Sequence, residues 1–158
     1  YGATCDAFHR VQIMPDGRES ARAIHLALED AGLGTGDVQY VNLHGTSTEL
    51  NDRAETRAIK LAFNGHHRAL ATSATKSMIG HPQGASGAAG AMATAMTLRD
   101  AFIHPTINYE NPDPECDLDY VPNRGRERDV ARAVSNCIAF GSKNAALVLT
   151  RYEGGRPR

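Results

Sequence analysis

Val41-Asn42-Leu43-His44-Gly45-Thr46-Ser47-Thr48 carries a short apolar stretch straight into a histidine and a turn. Residues 38 to 43 read as a buried strand, which places His44 at a strand's C-terminal end, where open α/β sheets carry their ligands. A neutral imidazole is the side chain best able to give or take a proton near pH 7. A second cluster, Thr75-Lys76-Ser77-Met78-Ile79-Gly80-His81, follows the next predicted strand, residues 69 to 73. With both turns at the same ends of neighbouring strands, two imidazoles and one ammonium surround a single small carbonyl. That geometry suits acyl chemistry.

Working outward, Met14-Pro15-Asp16-Gly17 is a turn, Pro fixing φ and Gly free to take a positive one. Ala21, Ile24, Ala27, Leu28 and Ala31 repeat at helical spacing and predict a helix over 18–32, with Ser20 as its cap and Gly32 and Gly34 as its stop. Ala54, Ala58, Ile59 and Ala62 predict a second helix over 51–63, capped by Asn51 or Asp52. Residues 84 to 98, rich in Ala, Gly, Met and Thr, predict a helix packed closely on all sides. Pro105, Pro112 and Pro114 make 104–116 a long loop. The segments 130–138 and 145–151 read as a strand pair around the turn at Gly141, and residues 1–8 are strand-like. Helices alternating with strands, closed by two adjacent strands, indicate a layered α/β domain over 1–152 with a frayed tail at 153–158.

Composition narrows the function classes. The 158 residues, 41% of them apolar, suffice for one ordinary core. A formal charge of −1 offers no basic surplus for nucleic acid or a membrane surface. No apolar run approaches a membrane span and no cationic leader is evident, so the expectation is a cytoplasmic protein. Cys5, Cys116 and Cys137 lack C-x-x-C spacing, which argues against a disulfide framework or a zinc site. The chain starts at Tyr1 and enters a strand at once, as a piece of something longer would.

Several features have plainer readings. His9, His25, His66, His67 and His104 read as structural or exposed, and no H-x-x-x-H spacing supports a metal site. Gly84, Gly87 and Gly90 do not match a phosphate-binding loop and read as close helix packing. Asp52 and Glu55, one turn apart on the helix after His44, either pin that loop by accepting hydrogen bonds or form a solvated face. Phe140, in the turn Phe140-Gly141-Ser142-Lys143-Asn144, is either part of a plain hairpin or a lid over an acyl group.

Together the motifs resemble the C-terminal half of β-ketoacyl-[acyl-carrier-protein] synthases, closest to the elongating type II form. The resemblance runs from Cys5-Asp6-Ala7-Phe8-His9 to Leu147-Val148-Leu149. Its core is the two histidine motifs, with Asn108 to Val121 resembling the loop and strand that follow. It implies one of the two similar halves of a thiolase-like fold, a mixed sheet flanked by helices. It also implies a decarboxylative Claisen condensation at a cysteine thiolate lying in the other, N-terminal half, and no cofactor or metal. By this resemblance His44 and His81 donate hydrogen bonds to the malonyl thioester oxygen, and Lys76 sets their charge and orientation. Thr46 and Thr48 contact substrate, Phe140 and Gly141 form the gate, and Asp52, Glu55 and Asn144 support the site. The implied partners are acyl carrier protein, the N-terminal half and, in the whole enzyme, a second copy.

Several positions depart from the family pattern. Ile138-Ala139-Phe140-Gly141-Ser142-Lys143-Asn144 stands where Phe-Gly-Phe-Gly-Gly-Thr-Asn is usual, so two glycines are replaced and a lysine enters the gating turn, and Gly90 stands where a glutamate often pairs with the lysine. The partner of Lys76 is then water, backbone or another carboxylate. Gly80-His81-Pro82-Gln83-Gly84 also resembles the thiolase histidine motif, with Cys137 in the place of an acid/base cysteine, and a non-catalytic chain-length-factor-like subunit is the other alternative.

Overall fold

The computed structural model describes residues 1–141 and 143–154, so Ser142 and residues 155–158 of the predicted tail lie outside it. Strand β1 (Gly2–Cys5) leads into helix α1 (Arg18–Asp30), β2 (Tyr40–Asn42), α2 (Glu49–Phe63), β3 (Ala71–Ser73), a short α3 (Lys76–Ile79) and α4 (Ser86–Asp100). A small hairpin of β4 (Phe102–Ile103) and β5 (Arg126–Glu127) brackets the long loop, and β6 (Arg132–Ala139) and β7 (Lys143–Thr150) close the chain. The main sheet has the order β1-β7-β6-β2-β3. Its β1–β7 and β7–β6 pairs are antiparallel and its β6–β2 and β2–β3 pairs parallel, the mixed sheet that the family resemblance implies.

Alternation along the strands explains the layers. Val41, Val134 and Ala146 pack with Ile24, Ala27 and Leu28 of α1 and Ala58, Ile59 and Phe63 of α2 on one face. Their neighbours Tyr40 and Ala133 turn the other way, with Ala71, toward Leu98 of α4 and Ile103. Central strands buried on both sides should read as continuous apolar runs, and β2 is fully buried along its length.

Three local expectations are corrected. Helix α1 is capped by Gly17, not Ser20: Gly17 takes φ 70°, and a Cβ there would lie 2.6 Å from the Ala54 carbonyl oxygen, so only glycine fits the approach of α1 to α2. Ser20 is buried in the first turn. Helix α2 begins two residues earlier than predicted, because Thr48, with extended backbone, is its N-cap, and Asn51 and Asp52 sit inside the first turn. Helix α4 is packed on one side only. Ser86, Gly90, Thr94, Thr97 and Leu98 form its buried stripe, while Met92 and Met96 are 63% and 53% exposed. Of the three glycines read as close helix packing, only Gly90 makes a close approach; a Cβ at Gly84, which precedes α4, or at Gly87 would meet nothing within 4 Å. Among the described residues no helix is long and apolar enough to cross a membrane.

Candidate active site

The parallel pairing of β2 with β3 matches Tyr40 to Ala71 and Asn42 to Ser73, so both chains leave the sheet at the same edge. His44 follows β2 and Lys76 follows β3, and the two turns touch. Gly45 has φ 45°, and a Cβ there would lie 2.5 Å from that of Ala74. Buried Glu55, two turns into α2, locks the first turn from below. Its Oε1 accepts the His44 N–H at 2.7 Å and the Asn136 Nδ2 amide at 2.7 Å, and its Oε2 accepts the Gly45 N–H at 2.9 Å. Pinning of the loop, one of two readings of Glu55, is therefore what the structure shows.

The His44 and His81 rings stand edge to face, 5.7 Å between centroids and 84° between planes. Lys76 donates to the backbone carbonyl of His44, and its Nζ lies 3.4 Å from His44 Nδ1. An ammonium has only protons to offer, so His44 Nδ1 accepts and Nε2 carries the ring proton. His81 reaches the same tautomer by another route: its Nδ1 faces the Gln83 N–H at 3.1 Å and the Ser86 hydroxyl at 3.1 Å. Each imidazole therefore presents an Nε2–H that has no hydrogen-bond partner among the described residues. Such a pair is a ready donor set for one developing oxyanion.

Electrostatics keep His44 neutral. Burial, then the charges of Lys76 and His81, push His44 down to about 3. Burial also lowers Lys76, while Glu55 and Cys137 pull it back up. Glu55 is raised by burial and pulled back by the N–H groups of Gly45 and His44 and the amide of Asn136. For His44 the folded value lies below the ordinary 6.5, so the unfolded chain binds the extra proton between about pH 3 and 6.5 and stability falls as pH drops through that window. In urea titrations at pH 7, 5.5 and 4, the native protein is expected to lose stability more steeply than His44→Gln, by up to about 1.4 kcal/mol per pH unit. Parallel slopes would contradict a buried neutral His44.

Residues 1–110 match the family model described as the β-ketoacyl synthase C-terminal domain. The chain belongs to this family. It is 51% identical over 153 residues to the 3-oxoacyl-[acyl-carrier-protein] synthase 2 of Synechocystis, covering 97% of this chain and 37% of that protein. The Staphylococcus aureus enzyme of the same name is 45% identical over the same coverage. Among solved structures, a type II polyketide ketosynthase in complex with its acyl-carrier protein superimposes with a TM-score of 0.94 at 34% identity, covering 96% of this chain and 37% of that one. The ishigamide ketosynthase/chain length factor gives 0.90 at 42% identity, with 96% and 36% coverage. The chain thus spans little more than a third of the relatives it matches, and its thiolase-like half-fold is theirs.

The remaining expected residues of the ketosynthase domain fall in two groups. Thr46 lines a cavity of about 610 Å³ with Asp52, Glu55, Lys76, His81 and Tyr120. Thr46 and Thr48 share a hydroxyl–hydroxyl hydrogen bond of 2.9 Å, and Thr48 is exposed at the start of α2. Asp52, raised by burial, accepts from the Asn51 amide at 3.0 Å. Asn144 is buried, and its amide donates to Asp6 at 2.6 Å, tying the start of β7 to the loop after β1. Phe140 and Gly141 share the sheet edge of the histidines, since β6 runs parallel to β2, but Phe140 is 76% exposed and lies outside the cavity wall. The Gly141 N–H donates to the Arg10 carbonyl.

Other contributors carry no sequence signal of their own. Ser86 orients His81 from the first turn of α4, and Asn136, between Ser135 and Cys137 on β6, holds Glu55. Tyr40, Asn42, Ser73, Thr75 and His104 form one polar network beneath α4; His104 Nε2 lies 3.2 Å from both the Tyr40 hydroxyl and the Asn42 amide and 3.1 Å from the Thr75 hydroxyl. Burial lowers His104 and raises Tyr40 to about 12, so both stay neutral. As for the partner of Lys76, it is backbone, with Glu55 the carboxylate whose charge bears on it. No group of three or more His, Cys, Asp or Glu among the described residues is placed to hold a metal.

Proposed function

We propose that this chain is the decarboxylating C-terminal half of a cytoplasmic 3-oxoacyl-[acyl-carrier-protein] synthase. The observation that carries the reading is the pair of Nε2–H donors, each fixed by what its Nδ1 accepts. A malonyl thioester placed between them loses its carboxylate: the C–C bond to the carboxyl carbon breaks, carbon dioxide leaves, and the electron pair moves into an enolate whose oxygen accepts both hydrogen bonds. Lys76 stays put, holding His44 as a donor. The enolate carbon then attacks an acyl thioester on a cysteine of the N-terminal half, forming the new C–C bond and expelling the thiolate. Cys5, Cys116 and Cys137 are not assigned that role.

The exposed stripe of Met92 and Met96 on α4 supports seating of the N-terminal half on that face, since large apolar side chains at a helix surface mark contact sites. Acyl carrier protein delivers both thioesters, and the whole enzyme pairs as a homodimer. Thr46 and Thr48 border the thioester arm, with Phe140 and Gly141 as the gate. A chain-length-factor role would not require His44, Lys76 and His81 to be held in a working constellation, and a thiolase would not require Lys76. The test is carbon dioxide release from malonyl-[acyl-carrier-protein] by the complete protein. Lys76→Met, which keeps length and removes charge, is expected to slow release at least about tenfold through misorientation of His44; native-like release in that variant would contradict the assignment.

A further inference from the structure

The turn that carries Lys76 is fastened by the segment that follows β4. Ala74, two residues before Lys76, donates its N–H to Thr106 Oγ1 at 3.0 Å, and the same hydroxyl donates to the Tyr120 carbonyl at 2.8 Å. One residue on, the Ile107 N–H donates to Ser77 Oγ at 3.0 Å, and that hydroxyl donates to the Ala74 carbonyl at 2.8 Å. Ala74 is therefore bound at both its N–H and its carbonyl. Thr106 is in turn held by strained backbone. Consecutive carbonyls of an extended strand point to opposite sides. Those of Tyr120 and Val121 both reach Thr106, the second accepting its N–H at 3.0 Å. Val121 permits this with φ 48°, a conformation rare for a β-branched residue. It is fully buried, and its N–H donates to Asp119 Oδ1 at 3.1 Å, the atom that Arg126 pairs at 2.5 Å. Strain of this kind persists where surrounding contacts over-determine it, and it clusters at functional sites.

We propose that Thr106 is a positioning residue for the active site: its hydroxyl fixes Ala74, and through Ala74 the point from which Lys76 reaches the His44 carbonyl. The inference rests on the functional reading above. Lys76 opens α3, a helix of four residues, none of them buried. So short a helix has little packing of its own to set its place, and the bonds at Ala74 and Ser77 set it instead. The task needs a hydroxyl, because Thr106 faces an N–H on one side and a carbonyl on the other. A hydroxyl accepts from the first and donates to the second, whereas a methyl group does neither and leaves both unpaired. Serine keeps both bonds.

The test compares the complete protein with its Thr106→Val and Thr106→Ser variants, by crystal structure and by kcat and KM for carbon dioxide release from malonyl-[acyl-carrier-protein]. Thr106→Val keeps the shape and removes the hydroxyl. It is expected to lower kcat about fivefold with KM within about twofold, and to draw Lys76 Nζ about 1 Å or more away from the His44 carbonyl. Thr106→Ser should return Lys76 to that carbonyl and kcat to within about twofold of native. Thr4→Val is the control for lost stability: it removes a hydroxyl bond of 2.6 Å to the Glu19 carbonyl on β1, at the opposite edge of the sheet from β3, and should leave kcat unchanged. Ser77→Ala, which frees the Ile107 N–H, should lower kcat in the same KM-neutral way and carries the test if Thr106→Val does not fold. An unmoved Lys76 or unchanged kcat in the variant that carries the test, a serine variant as slow as the valine one, or an equal loss in Thr4→Val overturns the proposal. Absence of any decarboxylation by the native protein would instead overturn the functional reading, since the place of Lys76 is read independently of activity.

Discussion

His44→Ala is expected to slow carbon dioxide release from malonyl-[acyl-carrier-protein] about 10²–10³-fold, equivalent to about 2.7–4 kcal/mol of transition-state stabilisation, with a small change in KM. The reasoning starts from protonation. His44 is buried and held neutral, its Nδ1 faces an ammonium, and its proton sits on Nε2. A neutral imidazole N–H donates little to the uncharged thioester of the ground state and much to the enolate oxygen, so its removal acts on kcat. His81→Ala should behave alike, because its Nε2–H is fixed by Gln83 and Ser86. His44→Gln, which keeps an N–H donor but cannot reproduce the ring's reach, should retain more activity than His44→Ala. Equal rates in the native protein and both alanine variants would remove the histidines from the chemistry.

Glu55→Gln is expected to cost about 1–3 kcal/mol of stability, because the amide that replaces one oxygen turns a donor toward the His44 or Gly45 N–H and leaves that buried group unpaired. Glu55→Ala removes both acceptors and strands the Asn136 amide as well, and should cost about 3–5 kcal/mol, the range for breaking a buried charged network. Both should also release the His44 loop, so decarboxylation falls in step with stability. Glu49→Gln is the control: Glu49 is exposed and paired with Arg53 at 2.8 Å, and its loss should stay within about 0.5 kcal/mol. Urea unfolding of the complete protein measures all three. A Glu55→Ala midpoint indistinguishable from that of Glu49→Gln would mean that the carboxylate does not hold the turn.

Much of this was legible before any coordinates. His44 and Lys76 share an edge because short apolar runs precede each of them and such runs pair as parallel strands, a local signal with a local cause. Glu55 was placed one helical turn from Asp52 by spacing alone, though which reading applied depended on the depth of α2 against the turn. Harder to read was anything decided by a partner element. Ser20 looks like a cap, but the contact of α1 with α2 selects Gly17 instead. Small residues on α4 suggest packing on every side, yet only the Gly90 stripe meets the sheet. Asn136 sits in an ordinary strand sequence, and its role appears only once β6 lies beside β2.

The most direct test is a crystal structure of the complete protein with a non-decarboxylating malonyl-thioester analogue. The thioester oxygen is expected about 2.7–3.1 Å from Nε2 of both His44 and His81, with Lys76 still on the His44 carbonyl. An oxygen held by neither histidine, or one bound to Lys76 instead, would contradict the account.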